Sequence, residues 1–397
     1  MRILFLTHRL PYAPNRGDRI RAYHILQQLR AVASVDVVSL AHDAEEAGQG
    51  TAMKDLAESV TVVRTPRLRN HVRGAFALAG TKPLTHVLLD APGIRRAIAT
   101  VIAAHQPDVV LAFCSGIAKL ALEPLLAEFP LVLDMVDVDS AKWTALSRSA
   151  KLPMAWVYAR EAKRLAAFEC RAMQAARMTI AINEREQAEL DRLLPGARVS
   201  VVGNGIDLTA FRPTTAPRRD ANIVFCGVMN YSPNEEAALR LGRNIWPLVK
   251  ARRPDARLTL VGAHPTRAVR SLPQQDPAIT VTGMVPDVRP YLWNAEVSVA
   301  PLRTARGVQN KVLEALAAGL PTVVSAPVFA GLPERVKTAC TLSESDEATA
   351  DAIVKLLADT AVSRREQAAR ADLDSLTWKA QLEPLVNILR EAARPHR

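Results

Sequence analysis

One stretch of the chain, residues 305–325 (ARGVQNKVLEALAAGLPTVVS), combines glycine, cations and one carboxylate ahead of an apolar run. Its pattern predicts a helix over residues 307–318 on which the charged positions share one face. The free N–H groups and the dipole at such a helix start favour an anion. We therefore predict a receptor for a nucleotide diphosphate, in which the carboxylate accepts from the ribose hydroxyls. The positions concerned are Arg303, Arg306, Gly307, Lys311 and Glu314. Spacing alone leaves open an ordinary surface helix with a Lys–Glu pair.

A long loop is predicted between the first strand and the first helix, over residues 7–18. Loops of this length after a strand more often bind ligands than merely connect elements. Gly17 permits close backbone approach, and the helix that follows can receive an anion at its start. The pattern G-x-G-x-x-G is absent, which argues against a dinucleotide fingerprint. The alternative is a structured loop in which Asp18 caps the helix.

Three carboxylates lie at the end of the predicted strand at residues 131–136: Asp134, Asp137 and Asp139. If their side chains lie near one another, repulsion raises the pKa of at least one of them. Such a group can share a proton or accept a hydrogen bond from a sugar hydroxyl. Binding of Mg²⁺ is a second interpretation. A helix N-cap with solvated neighbours is the third, and the residues alone do not choose among them.

The elements that must position these residues alternate between short apolar runs and stretches of helical period. The apolar runs lie at residues 3–6, 35–40, 60–63, 109–113, 131–136, 178–182, 199–202, 223–226, 258–261, 279–281, 297–300 and 322–325. The helical stretches lie at residues 19–30, 94–104, 155–176, 235–252 and 308–318. This alternation predicts doubly wound parallel α/β sheets, whose ligands bind beyond the carboxyl ends of the strands.

The length of 397 residues predicts two domains. Glycine and proline interrupt the alternation after Gly203-Asn204-Gly205, and a new strand is predicted from Ile223. We place an N-terminal Rossmann-like domain at residues 1–204, a linker at 205–220 and a second Rossmann-like domain at 221–375. A helix at 376–397 completes the chain and is a candidate to pack back on the first domain. Two such domains are expected to face each other across a cleft.

The net charge of +11 and the pI near 9.8 favour an anionic partner. The candidates are nucleic acid, an anionic membrane surface and a phosphorylated small molecule; general use of Arg in a GC-rich genome is the alternative. No nucleic-acid-binding signature is present, so we predict no nucleic-acid partner. The basic stretch Tyr158–Arg164 is either a site for anionic lipid or an ordinary amphipathic helix.

The cysteines and the apolar runs bound the remaining classes. The four cysteines, at positions 114, 170, 226 and 340, are far apart, and neither they nor the histidines have metal-ligand spacing. We predict no metal site and no disulfide framework. The N-terminus is expected to form a first strand rather than a signal peptide, and no apolar run reaches the length of a membrane span. A cytoplasmic protein is expected.

Several motifs resemble those of family-four retaining glycosyltransferases, which have the GT-B fold. The similar segments are residues 202–207 (VGNGID), 225–227 (FCG), 281–283 (VTG) and, most specifically, 307–323 (GVQNKVLEALAAGLPTV). Together with residues 10–14 and 134–143, nearly the whole chain resembles the subgroup associated with the exosortase (PEP-CTERM) system.

This resemblance implies transfer of a sugar, with retention, from a nucleotide-diphosphate sugar to a hydroxyl acceptor. It implies no cofactor and no essential metal. Glu314 is expected at the ribose, and Gly307, Asn310 and Lys311 at the phosphates. The remaining predicted donor-site residues are Gly17, Gly227, Asn230, Gly283, Arg306 and Val308. Asn15, Asp18 and Asp134 are expected on the acceptor side, and Asp137, Lys311 and Arg303 are expected to take part in catalysis.

The sequence departs from the family pattern in three ways. Arg306 stands where the family has the first of two glutamates, and Val228, Met229 and Asn230 stand where relatives often carry Arg and Lys. Asp137 lies near the position of a catalytic-site His and cannot act as a neutral imidazole. We expect Arg303 and Arg306 to supply the missing positive charge.

The expected role is a hexosyltransferase in exopolysaccharide assembly, with a lipid-linked glycan acceptor and peripheral contact with the inner face of an anionic membrane. Two alternatives are a nucleotide-sugar epimerase of the same fold and an inactive nucleotide-sugar-binding subunit. A Rossmann dehydrogenase is disfavoured because the glycine fingerprint is missing.

Overall fold

The computed structural model describes residues 1–12, 17–213, 221–305 and 308–394, with only the backbone described for Gly17, Asp18 and Ser149. The contacts divide the chain into two compact units. The first comprises Met1–Asn204 with Gln381–Arg397, and the second comprises Gly205–Ala380.

The first unit is built on a seven-stranded parallel sheet in the order β3-β2-β1-β4-β5-β6-β7. Its strands are β1 Arg2–Thr7, β2 Ser34–Ala41, β3 Ser59–Arg64, β4 Val109–Phe113, β5 Leu131–Val136, β6 Met178–Ala181 and β7 Val199–Val201. The central strands are buried along almost their whole length because helices cover both faces. This explains why they read as continuous apolar runs in the sequence.

Nine helices lie between the strands of this unit. They are α1 Gly17–Arg30, α2 Ala44–Gly48, α3 Arg67–Ala77, α4 Leu84–Leu88, α5 Ile94–Ala104, α6 Ser115–Ala121, α7 Asp139–Ser149, α8 Met154–Ala175 and α9 Glu184–Leu193. Short 3₁₀ turns occur at Gln49–Met53 and Pro124–Leu126. This tally covers the described part of the first unit.

The second unit is built on a six-stranded parallel sheet in the order β10-β9-β8-β11-β12-β13. Its strands are β8 Asn222–Cys226, β9 Arg257–Val261, β10 Ile279–Val281, β11 Val297–Ala300, β12 Thr322–Ser325 and β13 Cys340–Ser343. In both sheets the chain builds outward in one direction from a central strand and then in the other, which is the doubly wound arrangement. The prediction of two doubly wound parallel α/β sheets is confirmed.

The helices from residue 205 onward, of which the first precedes β8, are short apart from two near the end of the chain. They are α10 Leu208–Phe211, α11 Ser232–Arg240, α12 Trp246–Arg252, α13 Arg267–Arg270, α14 Leu272–Gln275, α15 Arg289–Trp293, α16 Asn310–Ala317, α17 Ala326–Ala330, α18 Glu334–Lys337, α19 Asp346–Ala358, α20 Ala361–Ala368 and α21 Trp378–Ala392. A π turn at Leu241–Ile245 joins α11 to α12, and a 3₁₀ turn lies at Asp374–Leu376.

Two features of the second sheet differ from the sequence expectations. Strand β13 was not predicted, because its sequence, CTLS, has no apolar run, and it lies at the sheet edge with only Ser343 fully buried. Helix α16 begins at Asn310 rather than at Gly307, with Gln309 as N-cap in an extended conformation. Glycine and β-branched valine are poor helix formers, which agrees with the helix starting after Val308.

Within the described ranges, none of the helices combines the length and the apolar character that crossing a lipid bilayer requires.

Candidate functional site

The candidate site of the second unit lies where the order of its sheet reverses, at the carboxyl ends of β8 and β11. Neighbouring loops diverge at such a point and leave a crevice, which is the usual ligand position in open α/β sheets. The loop after β8 begins at Gly227, and the connection after β11 leads into α16. Helix α16 carries Lys311 in its first turn and Glu314 one turn further along.

Lys311 is held in place by two neighbours. Its Nζ donates to Oδ1 of Asn234 at 2.6 Å and lies 4.7 Å from the centroid of the Phe225 ring. Phe225 is fully buried, so the ring face presents a fixed surface to the ammonium group. The cation is therefore fixed at the end of β8, with little freedom to move on binding a ligand.

The electrostatics of this cluster favour a neutral thiol beside an incompletely solvated cation. Burial raises the pKa of the Cys226 thiol to about 12, and the nearby Glu314 charge acts in the same direction. Burial lowers the pKa of Lys311 to about 8, although the neighbouring Cys226 and Glu314 oppose the shift. Burial also raises the pKa of Glu314 to about 6, against the effect of Lys311. Between these two values Lys311 carries its proton and Glu314 has lost its own, so the cluster holds one positive and one negative charge.

Close backbone packing shapes the turn after β8. A Cβ at Gly227 would lie 2.9 Å from Cγ of Asn234, and a Cβ at Gly262 would overlap the Gly227 carbonyl. Nδ2 of Asn234 donates to the carbonyl oxygen of Val228 at 3.1 Å. Asn234 in the first turn of α11 thus ties this turn to Lys311. Glycine at both positions lets the loops after β8 and β9 touch.

Among the described residues of the second unit, the other predicted donor residues lie in loops, apart from Asn310, which is the first residue of α16. Asn230, Val308 and Asn310 are exposed. Gly283 has a positive φ of 71°, and a Cβ added to it would meet no described atom within 4 Å. Arg303 is mostly exposed, and its Nη1 lies 3.5 Å from Oε1 of Glu236. Arg306 and Gly307 lie outside the described residues.

In the first unit, the loop after β1 is anchored by one buried carboxylate, Glu46, which is 2% exposed. Its oxygens accept from the backbone N–H of Leu10 at 3.2 Å and of His42 at 2.8 Å. Glu46 also forms ion pairs with Arg19 at 3.2 Å and with Arg9 at 3.6 Å. Glu46 therefore holds both described ends of the predicted binding loop.

Three predicted site residues, Asn15, Gly17 and Asp18, belong to this loop. Asn15 lies outside the described residues. Gly17 is the first residue of α1, and the side chain of Asp18 is not described. The position of these residues toward a ligand stays a prediction.

The three aspartates at the end of β5 have different surroundings and do not form one shared site. Asp134 is fully buried and pairs with Arg21 at 2.9 Å, so its carboxylate has a structural partner and no open surface for an acceptor. Asp137 is exposed. Asp139 accepts from the Ser115 hydroxyl, and its pKa is raised mainly by burial.

Arg21 makes the Asp134 pair part of a wider network. Its guanidinium also donates to the carbonyls of Val202 and Gly203 and to Oδ1 of Asn204, at 2.9 to 3.0 Å. Asp134 was expected to face an acceptor, but its buried carboxylate has no surface open to one. The structure assigns it to holding α1, β5 and residues 202–204 together.

Sequence reasoning missed Asn234, Glu46 and Arg21. Asn234 directly precedes the helical stretch predicted at residues 235–252 and was assigned no role. The available signal was an asparagine in the first turn of a helix. Asparagine has a poor helix propensity, so its presence there usually reflects a hydrogen bond made by its side chain. Glu46 and Arg21 gave no such local signal.

Among the described residues, no group of three or more His, Cys, Asp and Glu side chains is arranged to hold a metal ion.

Comparison with known families gives a match over part of the chain. Residues 220–359 match the model of the family described as glycosyl transferases group 1. This range contains β8, β11 and α16, and therefore Lys311, Glu314 and Asn234. No curated protein matches the chain.

Solved structures match over almost the whole chain at low sequence identity. Sucrose-phosphate synthase from Thermosynechococcus elongatus is 18% identical with a TM-score of 0.69, covering 98% of this chain and 99% of that one. HepE from Anabaena, in complex with UDP, is 15% identical with a TM-score of 0.66, covering 98% and 100%. An α,α-trehalose-phosphate synthase from Burkholderia vietnamiensis is 12% identical with a TM-score of 0.61, covering 98% and 100%. The chain thus has the GT-B fold of two Rossmann-like units, and its residues 220–359 match the glycosyl transferases of group 1.

Proposed function

We propose that this protein is a glycosyltransferase that moves a sugar from a nucleotide-diphosphate sugar to a hydroxyl acceptor, with retention. One observation carries the proposal. Lys311 and Glu314 lie on one helix beside the Gly227 turn, at the sheet reversal of the unit that matches the group 1 family model.

In the proposed complex, each charged residue has a separate task. Lys311 contacts the diphosphate, and its fixed ammonium stabilises the negative charge that develops as the nucleoside diphosphate leaves. Glu314 accepts hydrogen bonds from the ribose hydroxyls. Arg303, exposed at the same edge, adds positive charge near the phosphates. We propose that leaving-group stabilisation carries most of the rate and that Asp137 contributes hydrogen bonding only.

The proposed donor contains a uridine nucleotide. HepE from Anabaena has been solved with UDP and with UDP-glucose. We propose that a UDP-hexose is the donor, that no resident cofactor is needed, and that the diphosphate is bound by protein groups without an essential metal.

The acceptor side of the proposal rests on the sequence resemblance. We propose a lipid-linked glycan acceptor, used in exopolysaccharide assembly of the exosortase-associated type. Such an acceptor places the enzyme in the cytoplasm at the inner face of the membrane.

Thermal unfolding with a panel of nucleoside diphosphates and their sugars tests donor binding. A ligand that binds the folded state raises the melting temperature by mass action, and we expect the largest rise with a uridine nucleotide. Lys311→Ala and Glu314→Ala are expected to reduce the shift strongly. The matched controls are Lys355→Ala and Glu366→Ala, which remove exposed residues of the same type from α19 and α20. Full retention of the shift in both site variants would contradict the site.

Product analysis separates the proposed activity from its alternatives. A transferase releases the nucleoside diphosphate in step with glycosylation of an added acceptor. Conversion of the donor into a stereoisomer without acceptor would identify an epimerase. Binding of the donor with no turnover on any acceptor tried would identify a binding subunit, and either result would overturn the proposal.

A further inference from the structure

Helix α3 has the reverse of the usual amphipathic arrangement. Its exposed side carries Leu68, Val72 and Phe76, which are 87%, 61% and 80% exposed. Its buried side carries Asn70 and Gly74. A helix on the surface of a globular protein normally turns its apolar side chains toward the core. The outward Leu-Val-Phe stripe therefore has no covering element in the described part of the unit.

Polar contacts, rather than apolar packing, attach α3 to the unit. Nδ2 of Asn70 donates to the carbonyl oxygens of Leu88 at 2.9 Å and of Asp90 at 2.6 Å. Arg73 pairs with Asp90 at 2.6 Å. These bonds fix which face of the helix points outward.

Cations flank the apolar stripe on both sides. At 100° per residue, Arg69 and Arg73 follow it on one side of the helix, and Arg67 precedes it on the other. Between Arg64 and Asp90 the sequence contains three arginines and one lysine but no carboxylate. Long cationic side chains beside apolar ones are typical of a helix lying in a membrane interface, since their stems enter the apolar layer and their heads reach phosphate.

A second exposed apolar group lies at the start of α8. Leu152, Met154 and Trp156 are 81%, 44% and 55% exposed. The sequence between Asp139 and Glu161 again contains cations but no carboxylate. Tryptophan is enriched where one part of a side chain meets lipid and the other meets water.

Hydrogen bonds join the two helices that carry these groups. Nε of Arg160 donates to the carbonyl oxygen of Leu78, and Nη2 donates to that of Ala77, both at 2.7 Å. Glu161, the next residue, accepts from the backbone N–H groups of Leu84 and Thr85 at 2.6 and 2.8 Å. The end of α3, one residue after Phe76, is thereby joined to α8 one turn after Trp156.

We propose that this apolar-cationic face, formed by Leu68, Val72, Phe76, Leu152, Met154 and Trp156 with the flanking cations, docks on an anionic lipid bilayer. Charge complementarity selects this occupant, because both segments are rich in Arg and Lys and lack carboxylates. The docking surface differs from the one expected in the sequence at Tyr158–Arg164, since Arg160 and Glu161 are engaged inside the unit. This inference deepens the proposed function by placing a lipid-linked acceptor beside the enzyme, and it rests on that function only for this link.

Vesicle sedimentation with the full chain tests the proposal. We expect binding to phosphatidylcholine vesicles that contain phosphatidylglycerol, weak binding to phosphatidylcholine alone, and loss of binding at high ionic strength. The double variant Leu68→Ser/Phe76→Ser and the variant Trp156→Ser should each lower the partition coefficient by about tenfold or more, because apolar area no longer enters the bilayer. Arg69→Gln should weaken binding to anionic vesicles only.

Matched controls come from exposed positions of the second unit. Val362→Ser removes a residue that is 64% exposed on α20, and Arg370→Gln removes an exposed arginine; both should bind vesicles as wild type does. The thermal shift with UDP should be unchanged in every variant, so failure of docking is distinguishable from failure of the proposed donor site. No binding by wild type, or unchanged binding by the double variant, overturns the proposal. Loss of self-association in the double variant, without an effect on vesicle binding, identifies a contact between copies and overturns it as well.

Discussion

Lys311 and Asn234 come from helix starts 77 residues apart, yet Nζ of the lysine lies 2.6 Å from Oδ1 of the asparagine. The same amide donates to the carbonyl oxygen of Val228 in the turn after β8. The position of the cation is therefore set jointly by α11, α16 and that turn. A cation held this way needs little rearrangement when it meets a phosphate.

Asn234→Ala removes the hydrogen bond to Lys311 without changing the lysine residue itself. A hydrogen bond to a charged group contributes about 1.5–3 kcal/mol, so we expect the affinity for the nucleoside diphosphate to fall by about tenfold or more. Isothermal titration calorimetry measures the change. Asn244→Ala is the matched control, because the Asn244 amide donates to Asp346 at an exposed position. Equal affinities of Asn234→Ala and wild type would mean that Asn234 does not position Lys311.

The affinity for the nucleoside diphosphate should depend on pH with two limbs. Glu314, with its pKa raised to about 6, must be ionised to accept from the ribose. Lys311, with its pKa lowered to about 8, must be protonated to attract phosphate. Affinity is therefore expected to be greatest between these values, to fall below about pH 6 and to fall above about pH 8. Calorimetric titrations across this range measure the profile.

Variants assign each limb to its residue. Glu314→Gln should weaken binding and flatten the acid limb, and Lys311→Met should weaken binding and flatten the alkaline limb. Lys355→Met, at an exposed position, should keep both limbs. A wild-type affinity that does not change between about pH 5 and pH 9 would show that neither charge contributes to binding.

The buried pair of Arg21 and Asp134 should be important for the stability of the first unit. Their side chains are 1% and 0% exposed, and removing one partner leaves the other charge uncompensated. We expect Arg21→Met to lower the free energy of unfolding by about 3–5 kcal/mol, as measured by urea denaturation. Arg95→Met, which breaks a partly exposed pair with Glu123, should cost less than about 1 kcal/mol. A small loss in Arg21→Met would show that the pair is dispensable.

Parallel strands were predictable because burial on both faces leaves an apolar run, which is continuous in β4 and interrupted only by Asp134 in β5. Edge strand β13 was not predicted because only its last residue is fully buried, so the strand does not require an apolar run. The start of α16 was placed three residues too early. Local pattern marks the presence of a helix more reliably than its first residue, which here follows a glycine, a valine and the extended N-cap residue Gln309.

The proximity of two candidate site residues was predictable where they belong to one helix. Lys311 and Glu314 are three residues apart, so helical period alone puts them together. Asn234 and the Arg21–Asp134 pair depend on contacts across 77 and 113 positions, which no local spacing encodes. The three aspartates at the end of β5 are close in sequence, but they do not share one environment. Asp134 lies inside the strand and is buried, whereas Asp137 follows the strand and is exposed.

Glu169 should make the stability of the first unit fall as pH rises. Its side chain is fully buried, Oε1 accepts from the backbone N–H of Ser140 at 3.2 Å, and Oε2 has no hydrogen-bond partner among the described residues. Burial, with a further contribution from the Asp139 charge, raises its pKa from 4.5 to about 7 against the hydrogen bonds of Ser140. The folded state therefore favours the protonated acid. Its stabilising contribution is complete below about pH 4.5 and is lost as the pH rises to about 7.

Glu169→Gln keeps a neutral side chain of the same shape at every pH. A shift of this size corresponds to about 3 kcal/mol, so at about pH 8 the variant should be more stable than wild type by up to that amount. Near pH 4.5 the two should differ little. Urea denaturation at both pH values measures the difference, and Glu383→Gln on the exposed side of α21 is the control expected to follow wild type. Because the argument requires the wild-type and Glu169→Gln curves to diverge with rising pH, parallel curves would show that the buried carboxyl group does not titrate in this range.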